Sequence, residues 1–136
     1  MIVGIGTDLV AIDRIGQSMQ RHADRFLVRV FTAAEQALCA QRRATEVACF
    51  AKRFAAKEAM VKALGTGMRD GIWFTDVEVL NDALGRPVIT LKGAAARRLH
   101  ELAMGHGFAE TRIHLSLADD GGMAMAHVVV EGCGQD

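Results

Sequence analysis

Four charged side chains stand where an otherwise apolar chain should not put them. Asp8 lies alone in the apolar run Met1–Val10, MIVGIGTDLV. Lys57, Glu58 and Lys62 lie in Phe50–Gly67, FAKRFAAKEAMVKALGTG. This second stretch reads as a helix running into a glycine-bracketed turn. Wound at about 100° per residue, Phe50, Phe54, Val61 and Leu64 form one stripe. Lys57 falls in the middle of that stripe, Glu58 at its edge, and Lys62 just outside as the i+4 partner of Glu58. A buried ammonium is costly unless something anionic meets it. One reading is therefore a helix that faces a bound anion, a phosphate by preference, beside a metal held by Glu58. The other is that Lys57 reaches out to solvent along its apolar stem and that Glu58 and Lys62 make a surface pair worth a few tenths of a kcal/mol. Periodicity alone favours the second. Asp8 is equally open: a paired or metal-bound carboxylate on one side, a turn or helix cap at a strand end on the other.

The rest of the chain must position these groups. It has 136 residues, enough to bury a sizeable core as one domain, residues 1–136. Apolar residues make up 51%, so the chain is globular. Sixteen basic residues balance sixteen acidic ones, which argues against general nucleic-acid binding. The three cysteines, Cys39, Cys49 and Cys133, lack metal-ligand spacing and read as small apolar residues in a reducing compartment, Cys39 and Cys49 as helix packing. Neither a signal peptide nor a membrane span is recognisable, so the expectation is a cytoplasmic protein with no membrane partner.

In order, Met1–Val10 suits a strand, and its Gly4 and Gly6 suggest close approach of another backbone or a ligand. Asp13 can cap a helix beginning at Arg14. Arg14, Arg21, Arg25 and Arg29 share one face of it if it runs on, with Ala23-Asp24 a candidate break. Such a face is a solvated surface or a docking strip for an acidic partner. Thr32 and Glu35 form a capping box for a helix ending near Arg43. A polar link, Arg42–Glu46, leads into the central helix, and Met68–Gly71 follows as a loop. Ile72–Leu80 reads as a strand with Trp73, Thr75, Val77 and Val79 on one face. It turns through Asn81–Pro87 and returns as Pro87–Leu91. Gly93–Met104 is an alanine-rich helix closed by Gly105. Arg112–Ala118 alternates, with Ile113, Leu115 and Leu117 on one face and His114 and Ser116 on the other. After a tight turn over Asp119–Gly122, Met123–Glu131 is the last strand and Gly132–Asp136 a loose tail. The order β-α-α-α-β-β-α-β-β predicts an α+β fold, a small, mostly antiparallel sheet packed against helices with one long central helix.

GIGTDLVAIDRI at Gly4–Ile15 and FAAKEAMVKALGTG at Phe54–Gly67 together strongly resemble the short bacterial holo-acyl-carrier-protein synthases, single-lobed phosphopantetheinyl transferases. The Asn81–Pro87 turn and the final SLADD-turn-strand look like the same family, so the resemblance covers essentially the whole chain. It implies transfer of the 4'-phosphopantetheine arm of coenzyme A to a serine of an apo acyl carrier protein, with adenosine 3',5'-bisphosphate as the other product. It implies Mg2+, or Mn2+ in its place, a role in fatty-acid biosynthesis, and a homotrimer with active sites between subunits.

By the same resemblance, Asp8 and Glu58 are metal ligands, Glu58 or a metal-bound water takes the serine proton, and Lys62 stabilises phosphate or assists as base. Lys57 and Lys62 would meet phosphate oxygens. Gly65, Thr66 and Gly67 would bring backbone N–H groups to a phosphate. His114 and Ser116 are plausible coenzyme A contacts. The basic face of Arg14, Arg21 and Arg25 would dock the acidic carrier. Many relatives carry an acidic residue where this chain has Ala11, and some carry a histidine where it has Asp119, so no third carboxylate and no histidine role are expected there. The rival functions are a non-catalytic coenzyme A or nucleotide-binding module, a metal-dependent phosphohydrolase that uses water in place of serine, and a purely structural oligomer.

Overall fold

The computed structural model describes residues 1–135. The chain runs β1 (Ile2–Ala11), α1 (Ile12–Val30), α2 (Ala33–Ala40), α3 (Glu46–Ala63), β2 (Val77–Asn81), β3 (Pro87–Leu91), α4 (Gly93–Gly105), β4 (Phe108–Asp120) and β5 (Met123–Gln135). Short 3-10 turns cover Arg43–Thr45 and Phe74–Asp76. The strands form two antiparallel sheets, β1-β5-β4 and the hairpin β2-β3. The expected α+β class and central helix are what is found.

Helix α3 is the axis of the core. Ala51, Ala55, Ala56, Ala59, Met60 and Val61 are all fully buried. A helix apolar nearly all round belongs between layers. It packs against β1 and β5, and its alanines let the backbones come close. Gly4 and Gly6 complete that approach. A Cβ on Gly4 would overlap the carbonyl of Ala63, and one on Gly6 the carbonyl of Ala59. The glycines of β1 therefore mark contact with another backbone, not with a ligand.

Several boundaries depart from the sequence reading. Helix α1 starts at Ile12 from an uncapped Ala11, so Asp13 lies in its first turn and does not cap it. The candidate break is real: Ala23 has φ 42° and ψ −125°. Helical periodicity is interrupted there, so Arg25 and Arg29 do not continue the face of Arg14 and Arg21. The Thr32–Glu35 capping box forms in both directions, at 3.2 and 2.8 Å. Trp73 does not join a strand; it is exposed, and the turn over Phe74–Asp76 precedes β2. The expected loose tail is strand instead. Glu110 pairs with Cys133 and Phe108 with Gln135, and the Gly132 N–H donates to the Met1 carbonyl at 2.7 Å. Asp136 lies outside the described residues.

The cysteines also differ from expectation. Cys39 of α2 and Cys49 of α3 are joined in a buried disulfide, with a Cα–Cα distance of 5.5 Å. Their spacing carries no ligand pattern, and it is the packing of α2 on α3 that brings them together. Cys133 is free.

Candidate active site

The approach of β1 to α3 places Asp8, two residues beyond Gly6, beside the last turns of α3. There Lys62 Nζ donates to Asp8 Oδ1 at 3.0 Å and to the Thr7 carbonyl at 3.0 Å. The lysine side chain is half exposed and the Asp8 side chain 16% exposed, so the pair stands at the rim of the site. Glu58 lies one turn earlier on α3, partly buried. Burial raises its carboxyl above the usual range, and the neighbouring Asp8 carboxylate raises it further; Lys62 and Arg14 pull the other way. Asp8, Glu58, Lys62 and Arg14 thus form one electrostatic cluster drawn from β1, α1 and α3.

Two neighbouring carboxylates, with the charge of Asp8 raising the carboxyl of Glu58, suit a hard divalent cation. Mg2+ takes one or two protein carboxylates and fills its shell with phosphate oxygens and water. Among the described residues no group of three or more His, Cys, Asp and Glu side chains could hold a metal.

Lys57 is not part of this cluster. Its side chain is at 0% exposure, with Nζ 2.8 Å from Glu35 Oε1. It also donates to the carbonyls of Phe74, at 3.1 Å, and Val77. The other oxygen of Glu35 accepts the Val79 N–H at 2.8 Å. The anion that meets the lysine in the apolar stripe is internal, the glutamate of the capping box. Desolvation lowers the Lys57 pKa, and Glu35 opposes that shift. All three ammonium protons have protein acceptors, so the expected phosphate contact of Lys57 is corrected to a structural role.

The Gly65-Thr66-Gly67 turn is corrected likewise. Gly65 (φ 83°) and Gly67 (φ 68°) do take left-handed angles. Yet the Gly65 N–H donates to Lys62, and those of Thr66 and Gly67 to Val61. These N–H groups close α3 and leave none for a phosphate. Thr66 lines a cavity of about 310 Å³ with Arg97, Arg98 and Ile72.

A second feature lies where α3, the β2–β3 turn and β4 meet. A cleft of about 290 Å³ is lined by Arg42, Lys52, Arg53, Asn81, Pro87 and Ser116, among others. Ser116 is thereby placed in a basic cleft. His114 opens instead on an adjoining groove with Arg86 and Arg112, and it is held 3.1 Å from Glu131. Arg53 is buried, donating from Nε to the Val79 carbonyl at 3.1 Å and from Nη2 to Asn81 Oδ1 at 3.0 Å. Arg42, Lys52 and Arg53 were missed as site residues because only the fold brings Arg42, ahead of α3, and the α3 pair Lys52 and Arg53 together with Asn81 and Ser116. Their one signal in the sequence is the basic pair inside FAKRF. Arg14, Arg21 and Arg25 are all exposed on α1, and Arg25 lines a separate hollow with His22, Phe26 and Arg29.

Residues 4–118 match the family model described as the 4'-phosphopantetheinyl transferase superfamily. A holo-[acyl-carrier-protein] synthase of Magnetococcus marinus is 52% identical over 133 residues, covering 96% of this chain and 94% of the relative. One from Rhodopseudomonas palustris is 51% identical with the same coverage. Among solved structures, the holo-[acyl-carrier-protein] synthase of Neisseria meningitidis has a TM-score of 0.80 at 37% identity, covering 96% of this chain and 99% of that one. That of Helicobacter pylori, solved in complex with coenzyme A, has a TM-score of 0.75 at 30% identity and covers 93% of this chain and 99% of that one.

Proposed function

The chain belongs to the 4'-phosphopantetheinyl transferase superfamily, and from that membership we propose that it is a holo-acyl-carrier-protein synthase. It moves the 4'-phosphopantetheine arm from coenzyme A to a serine of an apo acyl carrier protein and serves fatty-acid biosynthesis. The observation that carries the reading is the meeting of Asp8, Glu58 and Lys62 at the end of α3, next to Arg14 and on the same helix as the basic cleft.

The serine hydroxyl attacks the β-phosphorus of the coenzyme A pyrophosphate. A new P–O bond forms, the bond to the bridging oxygen breaks, and adenosine 3',5'-bisphosphate leaves. The site's main task is to hold the reactants in line and offset phosphate charge. Asp8 and Glu58 would hold Mg2+, or Mn2+, which supplies electrostatic stabilisation of the phosphate oxygens. Lys62 turns from Asp8 toward a phosphate oxygen as a point charge. Glu58, whose carboxyl is held above the usual range, takes the serine proton. The basic cleft with Ser116 receives the nucleotide end of coenzyme A, and Thr66 shapes the wall beyond α3. The exposed arginines Arg14, Arg21 and Arg25 meet the acidic carrier.

The working form is a homotrimer with sites between subunits. Its support here is the face of the β1-β5-β4 sheet turned away from α3, where Ile5 and Leu9 are each 60% exposed and Met125 is 38% exposed. No described helix is long and apolar enough to cross a membrane. The cytoplasm is the proposed location.

The test is mass spectrometry of apo acyl carrier protein incubated with this protein, coenzyme A and Mg2+, with an EDTA control. Gain of one phosphopantetheine arm, dependent on metal, is expected. Coenzyme A bound without transfer would replace the reading with a binding module. Coenzyme A cleaved without carrier would replace it with a hydrolase.

A further inference from the structure

The three cations of the basic cleft are not equivalent. Arg53 is buried and donates to Val79, Asn81 and Cys49. Arg42 is exposed and, among the described residues, has no carboxylate at ion-pair distance. Lys52 is intermediate: its Nζ lies 2.9 Å from Asp119 Oδ1, with the two side chains 24% and 38% exposed. Asp119 sits at the far end of β4, cross-strand from Ala124, and its carboxylate reaches back to α3 through this contact.

An acidic side chain is thus fastened to one of the few cations that a phosphate entering this cleft could use. A phosphate must take Lys52 from Asp119 or bind with that carboxylate alongside. Either way the carboxylate opposes it, through lost pairing or through like-charge repulsion. Because the pair is only partly exposed but not buried, the opposition is modest and sensitive to salt.

We propose that Asp119 is a specificity-determining residue: a built-in competitor for Lys52 that weakens binding of phosphate-bearing ligands in the cleft. This rests on the functional reading above, which puts the nucleotide end of coenzyme A there. The consequence is directional. Asp119 raises KM for coenzyme A and speeds release of adenosine 3',5'-bisphosphate, whose phosphates meet the same cation.

The experiment is calorimetric binding of adenosine 3',5'-bisphosphate and of inorganic pyrophosphate to the full chain, with steady-state transfer kinetics. Asp119→Asn should tighten both ligands and lower KM for coenzyme A by about threefold, the scale of a partly exposed ion pair. The gain should shrink as salt is raised. It should vanish when Lys52→Met is already present, a coupling that a general loss of packing would not give. Asp119→Ala should change affinity in the same direction if Asp119→Asn folds poorly. Unchanged or weaker binding in both variants, or a gain that persists without Lys52, would overturn the proposal. If wild type binds no nucleotide but pyrophosphate binding tightens in Asp119→Asn, the competitor stands and the functional reading falls. If neither ligand binds wild type or variant, both fall.

Discussion

The ammonium of Lys57 and the carboxylate of Glu35 meet 2.8 Å apart with both side chains at 0% exposure. The pair ties α3 to α2, and through the Val79 N–H and the Val77 carbonyl it ties both helices to β2. Removing one partner leaves a buried charge unpaired, which costs about 3–5 kcal/mol. Lys57→Met and Glu35→Leu should each lower stability by about that amount in urea denaturation, and the double variant should recover part of it. Full stability in Lys57→Met would contradict the assignment of this lysine to the core.

Gly6 lets β1 pack directly on α3, since a side chain there would overlap the Ala59 carbonyl of the helix. Gly6→Ala should destabilise by about 1–3 kcal/mol, the usual range for overpacking. It should also weaken Mg2+ binding by moving Asp8 away from Glu58. Calorimetric Mg2+ titration of the folded variant checks this; wild-type metal affinity would show that the close packing does not set the site.

The raised Glu58 carboxyl gives a pH dependence with a definite sign. The folded state holds this proton more tightly than the unfolded chain. The contribution of Glu58 to stability is therefore full below the unfolded pKa and is lost as pH rises through the folded one. A cation needs the ionised form, so Mg2+ affinity should rise with pH over a range displaced above that of an ordinary carboxylate. Titrating Mg2+ binding at several pH values should show this in wild type, and Glu58→Gln should bind weakly with a flat profile.

Lys62 has its charge at the site and half its side chain in solvent. Lys62→Ala should leave the fold intact and lower phosphopantetheine transfer by about 10²-fold, the scale of losing one donor to a developing charge. Lys62→Arg should restore part of it. Circular dichroism separates this from unfolding.

The Cys39–Cys49 bond joins α2 to α3 across a sequence separation of 10. Intact-mass measurement without reductant should show a chain lighter by two hydrogens than the reduced protein. Reduction should lower stability by about 2–3 kcal/mol. The Cys39→Ala/Cys49→Ala variant should show no response to reductant, and a wild type equally indifferent would contradict the bond.

Much of this was open to reading without coordinates. The Thr32–Glu35 capping box is local chemistry over four residues and forms as spaced. The period of Phe50–Gly67 puts Lys57 in the middle of the apolar stripe, but periodicity alone favours an ammonium that reaches solvent, and the structure buries it instead. Asp8, Glu58 and Lys62 were named from an isolated carboxylate, a helix edge and a family resemblance, and they do converge. The tail was misread because Gly132 and Gly134 look like turn formers, whereas pairing with β4 and with Met1 holds Gly132–Gln135 in a strand.

The sequence by itself determined which positions are apolar, where the helices and turns punctuate, and that a lysine in the central stripe needs either solvent or an anion. Only the tertiary structure decided which anion. Helical periodicity says which side of α3 a residue faces, but what stands opposite depends on the packing of distant segments. Thus Lys57 met Glu35, 22 residues away, while Glu58, next to it in the chain, turned toward Asp8 and the candidate chemistry. The basic cleft has the same origin, since Arg42, Lys52 and Arg53 become neighbours of Ser116 only once β4 and the β2–β3 turn close over α3.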